Sequence, residues 1–149
     1  MTSGQRIIKA LIAGLLGGTL TSLVLWVLDL TGLFKSFGLP LSVPTPVTPW
    51  LLERVLRDLP WALLLLAPVR LDVEQWKRGV VTGLGPALVL LFFWLPIQGF
   101  GVLGLRGGLG LMLSAIVFSL LWGGATGYFL AMQGLGRRQA LEDDPSLEP

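Results

Sequence analysis

Residues 49–69 read PWLLERVLRDLPWALLLLAPV, and how this stretch is taken decides the fold. Its second half, from Leu59 to Val69, is almost wholly apolar, but the first half carries Glu53, Arg54, Arg57 and Asp58. Eleven apolar residues cannot cross a bilayer alone, since a helix needs about 20 to pass the hydrocarbon core. Three other segments pose no such problem: residues 7–28, 77–97 and 109–132 are apolar over a full crossing.

Charge placement bears on the doubtful segment, because Lys and Arg near a membrane favour the cytoplasmic side. With four spans, the inner side holds Arg6, Lys9, Arg70, Lys77, Arg78, Arg137 and Arg138. The outer side holds Lys35 and Arg106, with Arg54 and Arg57 at the outer end of the second span. A reversed three-span arrangement would also satisfy the rule, but would leave Leu59–Val69 in water or lying on the surface. Burial of such a run is worth about 0.8 kcal/mol per methylene, which favours four spans. The expected fold is therefore an all-α integral membrane protein. It is a four-helix transmembrane bundle over residues 1–136, in a bacterial-type inner membrane with both termini cytoplasmic. The acidic tail 137–149 (RRQALEDDPSLEP) lacks aromatics and is expected to be disordered.

Composition excludes several function classes. The chain has 149 residues, 53% hydrophobic and 13% charged, with mean hydropathy +0.76. About 25% charged residues is usual for a soluble domain. Cysteine and histidine are absent, which removes disulfides, thiol nucleophiles, the usual zinc ligands and the commonest proton shuttle. Arginine and lysine are scattered rather than clustered, so nucleic acid is not an expected partner. No nucleophile elbow, Walker or dinucleotide fingerprint occurs. Neither catalysis nor a bound cofactor or metal is expected.

Small residues recur four apart in three segments: Ala10, Gly14, Gly18 and Ser22; Gly79, Gly83 and Ala87; and Ala115, Ser119, Gly123, Gly127 and Ala131. Lipid gives helices no hydrophobic reason to associate, so close backbone approach through such residues supplies the contact. The stripes serve packing within the bundle or, for the last segment, contact with another membrane protein or a second copy. Leu120 is expected to face lipid.

The charged turn of the second segment falls on one face, with Glu53 and Arg57, and Arg54 and Asp58, at i,i+4 spacing suited to ion pairing. Ionisable groups in a span are functional candidates by default, so an outward-facing site is the alternative to a self-neutralising cluster. Thr48 and Pro49 suit a helix start, and Asp72 with Gln75 suits another. Pro60 and the pair Gly85-Pro86 could interrupt their helices. Trp26, Trp50, Trp76 and Trp94 lie near expected helix ends, and Trp61 and Trp122 lie deeper. The outer loop carries Pro40, Pro44 and Pro46 and favours extended backbone. The link IQGFGVLGLRGGLG, with six glycines from Gly99 to Gly110, reads as a flexible interfacial connection or a re-entrant segment.

An internal repeat is a further candidate. KALIAGLLGG from Lys9 aligns with RGVVTGLGPA from Arg78, pairing Gly14 with Gly83 and Gly18 with Ala87, as two hairpin pseudo-repeats would. KALIAGLLGG, WKRGVVTGLGPALVLLFFWLP and WGGATGYFL together resemble the small YqhR-type bacterial membrane proteins. That resemblance implies four spans and no assigned activity. The expected role is a noncatalytic membrane protein, either an accessory subunit or a self-associating bundle surrounded by membrane lipid. The alternative is a small transporter or channel.

The expected topology can be tested with single cysteines, since the natural chain has none. In intact cells an impermeant maleimide should label Ser42→Cys and spare Ser146→Cys until the membrane is permeabilised. The opposite pattern would invert the orientation.

Overall fold

The computed structural model describes residues 3–39, 42–43, 49–66 and 74–133, and these are helical with turns and no strand. Four long helices build the body: α1 (Ser3–Leu30), α3 (Pro49–Leu64), α4 (Gln75–Ile97) and α5 (Leu109–Met132). A single turn, α2 (Leu33–Ser36), follows α1. Helices α1, α4 and α5 are long and apolar enough to cross a membrane. Helix α3 lies against α1 and, more lightly, α4. At 1.5 Å per residue its 16 residues extend about 24 Å. The expected helix starts at Thr48 and Asp72, the remainder of the proline loop and the acidic tail lie outside the described residues.

The largest interface joins α4 to α5, and glycines make it. A Cβ on Gly123 would lie 2.9 Å from the Gly83 Cα, and one on Gly127 would lie 2.9 Å from the Gly79 Cα. Ser119 belongs to the same line, with its backbone beside Gly83. The backbones meet with no side chain between them, so dispersion contacts and Cα–H···O approaches take the place of hydrophobic drive. Leu120 departs from expectation: it is half-buried, and its Cα lies 3.1 Å from where a Cβ on Gly83 would sit. The closeness of the two backbones draws it into the interface, and Leu121, 50% exposed, is the lipid-facing neighbour.

Helix α1 uses its small face twice. Gly14 sits against α3, where a Cβ would lie 2.7 Å from that of Ala62. Gly17 abuts Thr126 of α5, and Gly18 lies between Val55 of α3 and the Trp122 indole of α5. Ala10, Ala13, Leu65 and Leu130 close a small apolar cluster beside this contact. Two buried hydroxyls are satisfied locally, Thr21 donating to the Gly17 carbonyl and Thr126 to that of Trp122, each at 2.8 Å, while the buried Ser22 hydroxyl has no partner. Gly14 thus meets α3, and Gly83 meets α5.

The N-terminal end of α1 meets the C-terminal end of α5, where the Lys9 ammonium donates to the Gln133 carbonyl at 2.8 Å. Nearby, Glu74 precedes α4, and its carboxylate accepts from the Trp76 indole and lies 3.5 Å from Lys77. The indole first, and then the ammonium, hold that carboxyl below its ordinary range.

The far end of the body is the opposite one, where α1 finishes and α3 begins. Two departures from regular helix shape it. First, α4 widens into a π turn over Leu90–Trp94, with the Leu95 N–H donating five residues back to Leu90. Pro96 follows at once; its missing N–H and bulky ring disfavour a regular turn, and the wider one relieves that clash. Second, the glycine-rich link is a folded cap: Gly104 is buried against Leu95 and Leu111, and Phe100 and Leu103 pack on the same cluster. Positive φ at Gly99, Gly101, Gly104 and Gly108 permits the tight path, and Leu103 shares it at φ 61°. Phe34 of α2 is buried edge-on to Phe118 at 6.1 Å.

Gly123→Leu should destabilise the protein by about 1–3 kcal/mol or more through overpacking against backbone that cannot yield. Leu121→Ala should change it by less than about 0.5 kcal/mol. Aggregation midpoints and elution volumes in one detergent compare them; equal behaviour would mean that this contact does not hold the helices together.

Candidate functional site

Helices α3 and α5 stand on opposite sides of the body, α3 joined to α1 and α4, α5 joined to the same two. Toward the far end this leaves a cavity lined by all four long helices. Its outer chamber, about 620 Å³, is bounded by Ser42, Trp50, Glu53, Gln98, Ser114 and Phe118, among others. An inner recess of about 70 Å³ adds Asp58, Trp61, Pro86 and Trp122. Arg54, Arg57, Leu90, Trp94 and Ser119 line both, so the two are continuous. Ser119 lies ten residues into α5, about 15 Å from its start, so the recess reaches half way along that helix.

The structure brings Glu53, Arg54, Arg57 and Asp58 to this one cavity. It does not close them into the expected pairs: neither Glu53–Arg57 nor Arg54–Asp58 forms an ion pair of 4.0 Å or less. The arginines turn to aromatic faces instead. The Arg54 guanidinium stands over Trp50 at 5.8 Å and that of Arg57 over Trp94 at 4.9 Å. A planar, weakly hydrated guanidinium stacks well on an indole, and two tryptophans within reach compete with the carboxylates for it. Trp50 and Trp94, expected at helix ends, thus serve as supports for cations.

Two buried polar atoms belonging to lining residues have no hydrogen-bond partner, Arg54 Nε and Trp122 Nε1. Trp122 is only 2% exposed. Buried donors are nearly always satisfied, so each such atom asks for an explanation. Most small-residue positions fall elsewhere: Gly14, Gly18, Gly79, Gly83, Gly123 and Gly127 are buried between helices, while Ala115 and Ser119 reach the cavity.

Sequence reasoning missed Gln98, Ser114 and Phe118. They lie on different elements, and no local spacing joins them. The π turn had one signal, the proline at position 96, which follows the aromatic run Phe92-Phe93-Trp94. Among the described residues no group of acidic side chains is disposed to hold a metal.

No family model matches the chain, and no curated protein or solved structure does so either. The likeness to the YqhR-type proteins rests on the three apolar patterns alone.

If Arg57 serves a ligand rather than a structural ion pair, its loss should cost the empty protein little. Arg57→Met should lower stability by no more than about 1 kcal/mol, the worth of an accessible cation–π contact. Thermal unfolding in detergent measures this. A loss of several kcal/mol would make the cluster structural.

Proposed function

We propose that this chain is a noncatalytic four-span integral membrane protein that holds a ligand in the cavity between its helices, as a binding subunit or small carrier. The observation that carries this reading is the cavity: charged, aromatic and hydroxyl side chains from three helices converge on a space of about 620 Å³. Proline and the π turn of α4 border it, the kind of interruption found where membrane helices line a site. Helix α3 is the second crossing in this proposal. Its Val55 and Ala62, with Leu65 just beyond it, are buried inward, while Leu52, Leu56, Leu63 and Leu64 remain exposed as a lipid-facing side. Charge bias supports a bacterial-type inner membrane with both termini cytoplasmic and the cavity opening outward.

The accessory-subunit or self-associating reading draws on the absence of catalytic residue types. It loses its main surface, because the glycine stripes are consumed inside the chain.

A thermal-shift panel of solutes and short-chain amphiphiles, run on wild type and on Ser114→Trp, separates the two. Some member should raise the wild-type midpoint by several degrees and leave the filled variant unmoved. A flat panel together with a stoichiometric protein partner in native mass spectrometry would favour the accessory role.

A further inference from the structure

The cavity's selectivity can be argued from which of its polar atoms lack partners. Arg54 Nε is a donor with no accepting capacity and is buried without a partner, whereas the unpartnered Trp122 Nε1 lies toward Gly18 of α1. An occupant that satisfies Arg54 must bring an acceptor. The second arginine, Arg57, stands on Trp94 at 4.9 Å with no carboxylate in salt-bridge range, so its fork of N–H groups remains available. Two guanidiniums on adjacent turns, lining one space, suit the bidentate recognition of an oxyanion. Ser114, Ser119 and Gln98 add neutral polar groups on the α4 and α5 side. The carboxylates oppose an anion and must be counted: Glu53 is exposed at the outer chamber, and Asp58 lines the inner recess. Neither lies within 4.0 Å of an arginine nitrogen, though Asp58 is near enough to interact electrostatically with both arginines. Together with the two arginines they keep the empty cavity near neutral. Away from these groups the wall is apolar, with Leu25, Leu95, Phe100 and Leu111.

We infer that the cavity is a binding site for a phosphate-type oxyanion, held by Arg54 and Arg57. This rests on the proposal that the cavity takes a ligand, and adds its chemical class. The same oxyanion chemistry is offered by a phospholipid head group and by free phosphate. The apolar wall accommodates the first, and the outer chamber is wide enough for either.

The test uses the full chain in neutral maltoside detergent and follows its tryptophan fluorescence, since four of its six tryptophans line the cavity. The probes are dihexanoyl phosphatidylglycerol, inorganic phosphate, hexyl glucoside and hexyltrimethylammonium. Expected is saturable binding of phosphatidylglycerol, phosphate or both, weakened by salt. Arg57→Gln should weaken it about tenfold or more, as loss of a charged hydrogen-bonding partner does. Arg57→Lys should fall between, and Arg106→Gln, on the link away from the site, should match wild type. Lipid binding without phosphate binding identifies a head group; the converse identifies a free anion. If hexyl glucoside binds as tightly as the anionic lipid and Arg57→Gln changes neither, the cavity takes ligands but does not select anions, and this inference alone falls. Preference for hexyltrimethylammonium would assign selection to Glu53 and Asp58 and overturn it as well. Should no probe bind, the oxyanion assignment is wrong, and the wider panel on Ser114→Trp decides separately whether the cavity takes any ligand.

Discussion

Between α4 and α5 there is room for backbone and nothing more. In water, two helices come together because apolar side chains leave the solvent; in a bilayer that drive is missing, since lipid tails are as apolar as leucine. What remains is short-range attraction, which falls away if the surfaces part by even a fraction of an ångström. Gly79 and Gly83 on one side, and Gly123 and Gly127 on the other, bring the surfaces that close. The rest of the arrangement follows from this pair acting as a fixed wall. Helix α1 lays its small face partly on α5, through Gly17 against Thr126, and partly on α3, through Gly14 against Ala62. Helix α3 is therefore held off α5 by the width of α1 on one side and α4 on the other.

That separation creates the interior space, and the side chains of α3 fill its edges. A charged turn facing lipid would cost several kcal/mol per group. Lining the cavity, Arg54 and Arg57 find indole faces, with Glu53 at the mouth and Asp58 in the recess. Packing and site are thus one solution: the tight seam on one flank permits an open interior on the other. Phe34, drawn in from the single turn α2 to meet Phe118, and the folded glycine link finish the far end.

Much of this was legible in the sequence. Apolar runs gave 7–28, 77–97 and 109–132, within four residues of Ser3–Leu30, Gln75–Ile97 and Leu109–Met132, because crossing length and hydropathy are properties of a single segment. Stripes four apart pointed to Gly79, Gly83, Gly123 and Gly127 for the same reason: helix periodicity is local. The pairing of Glu53 with Arg57, and of Arg54 with Asp58, was argued from that periodicity too and does not close. There the competitor for Arg57 was Trp94, thirty-seven positions away on another helix, which no local rule could supply. Leu120 was misplaced by the same kind of omission, since its surroundings depend on how near Gly83 comes. The glycine link shows a third limit. Its composition suggests freedom, but positive φ at four of its glycines is what lets it fold into one tight path.

The π turn bears on one more thing, the register of buried positions along α4. Those positions run Gly79, Gly83, Ala87, Leu91 and Leu95, four apart throughout. At 3.6 residues per turn a four-residue step overshoots by about 40°, so five such positions on a uniform helix would wind about 160° around it. Gly79 and Leu95 would then face nearly opposite directions, and the seam with α5 could not extend past its middle. A stretch that needs more than four residues to come round takes back part of that drift. The widened turn moves Leu91 and Leu95 back toward the side on which Gly79 and Gly83 began, and both pack with Leu111 and Ala115 of α5. Pro96 therefore acts at a distance from its own ring: by widening the turn before it, it keeps one helix in phase with its neighbour over the full depth of the bundle.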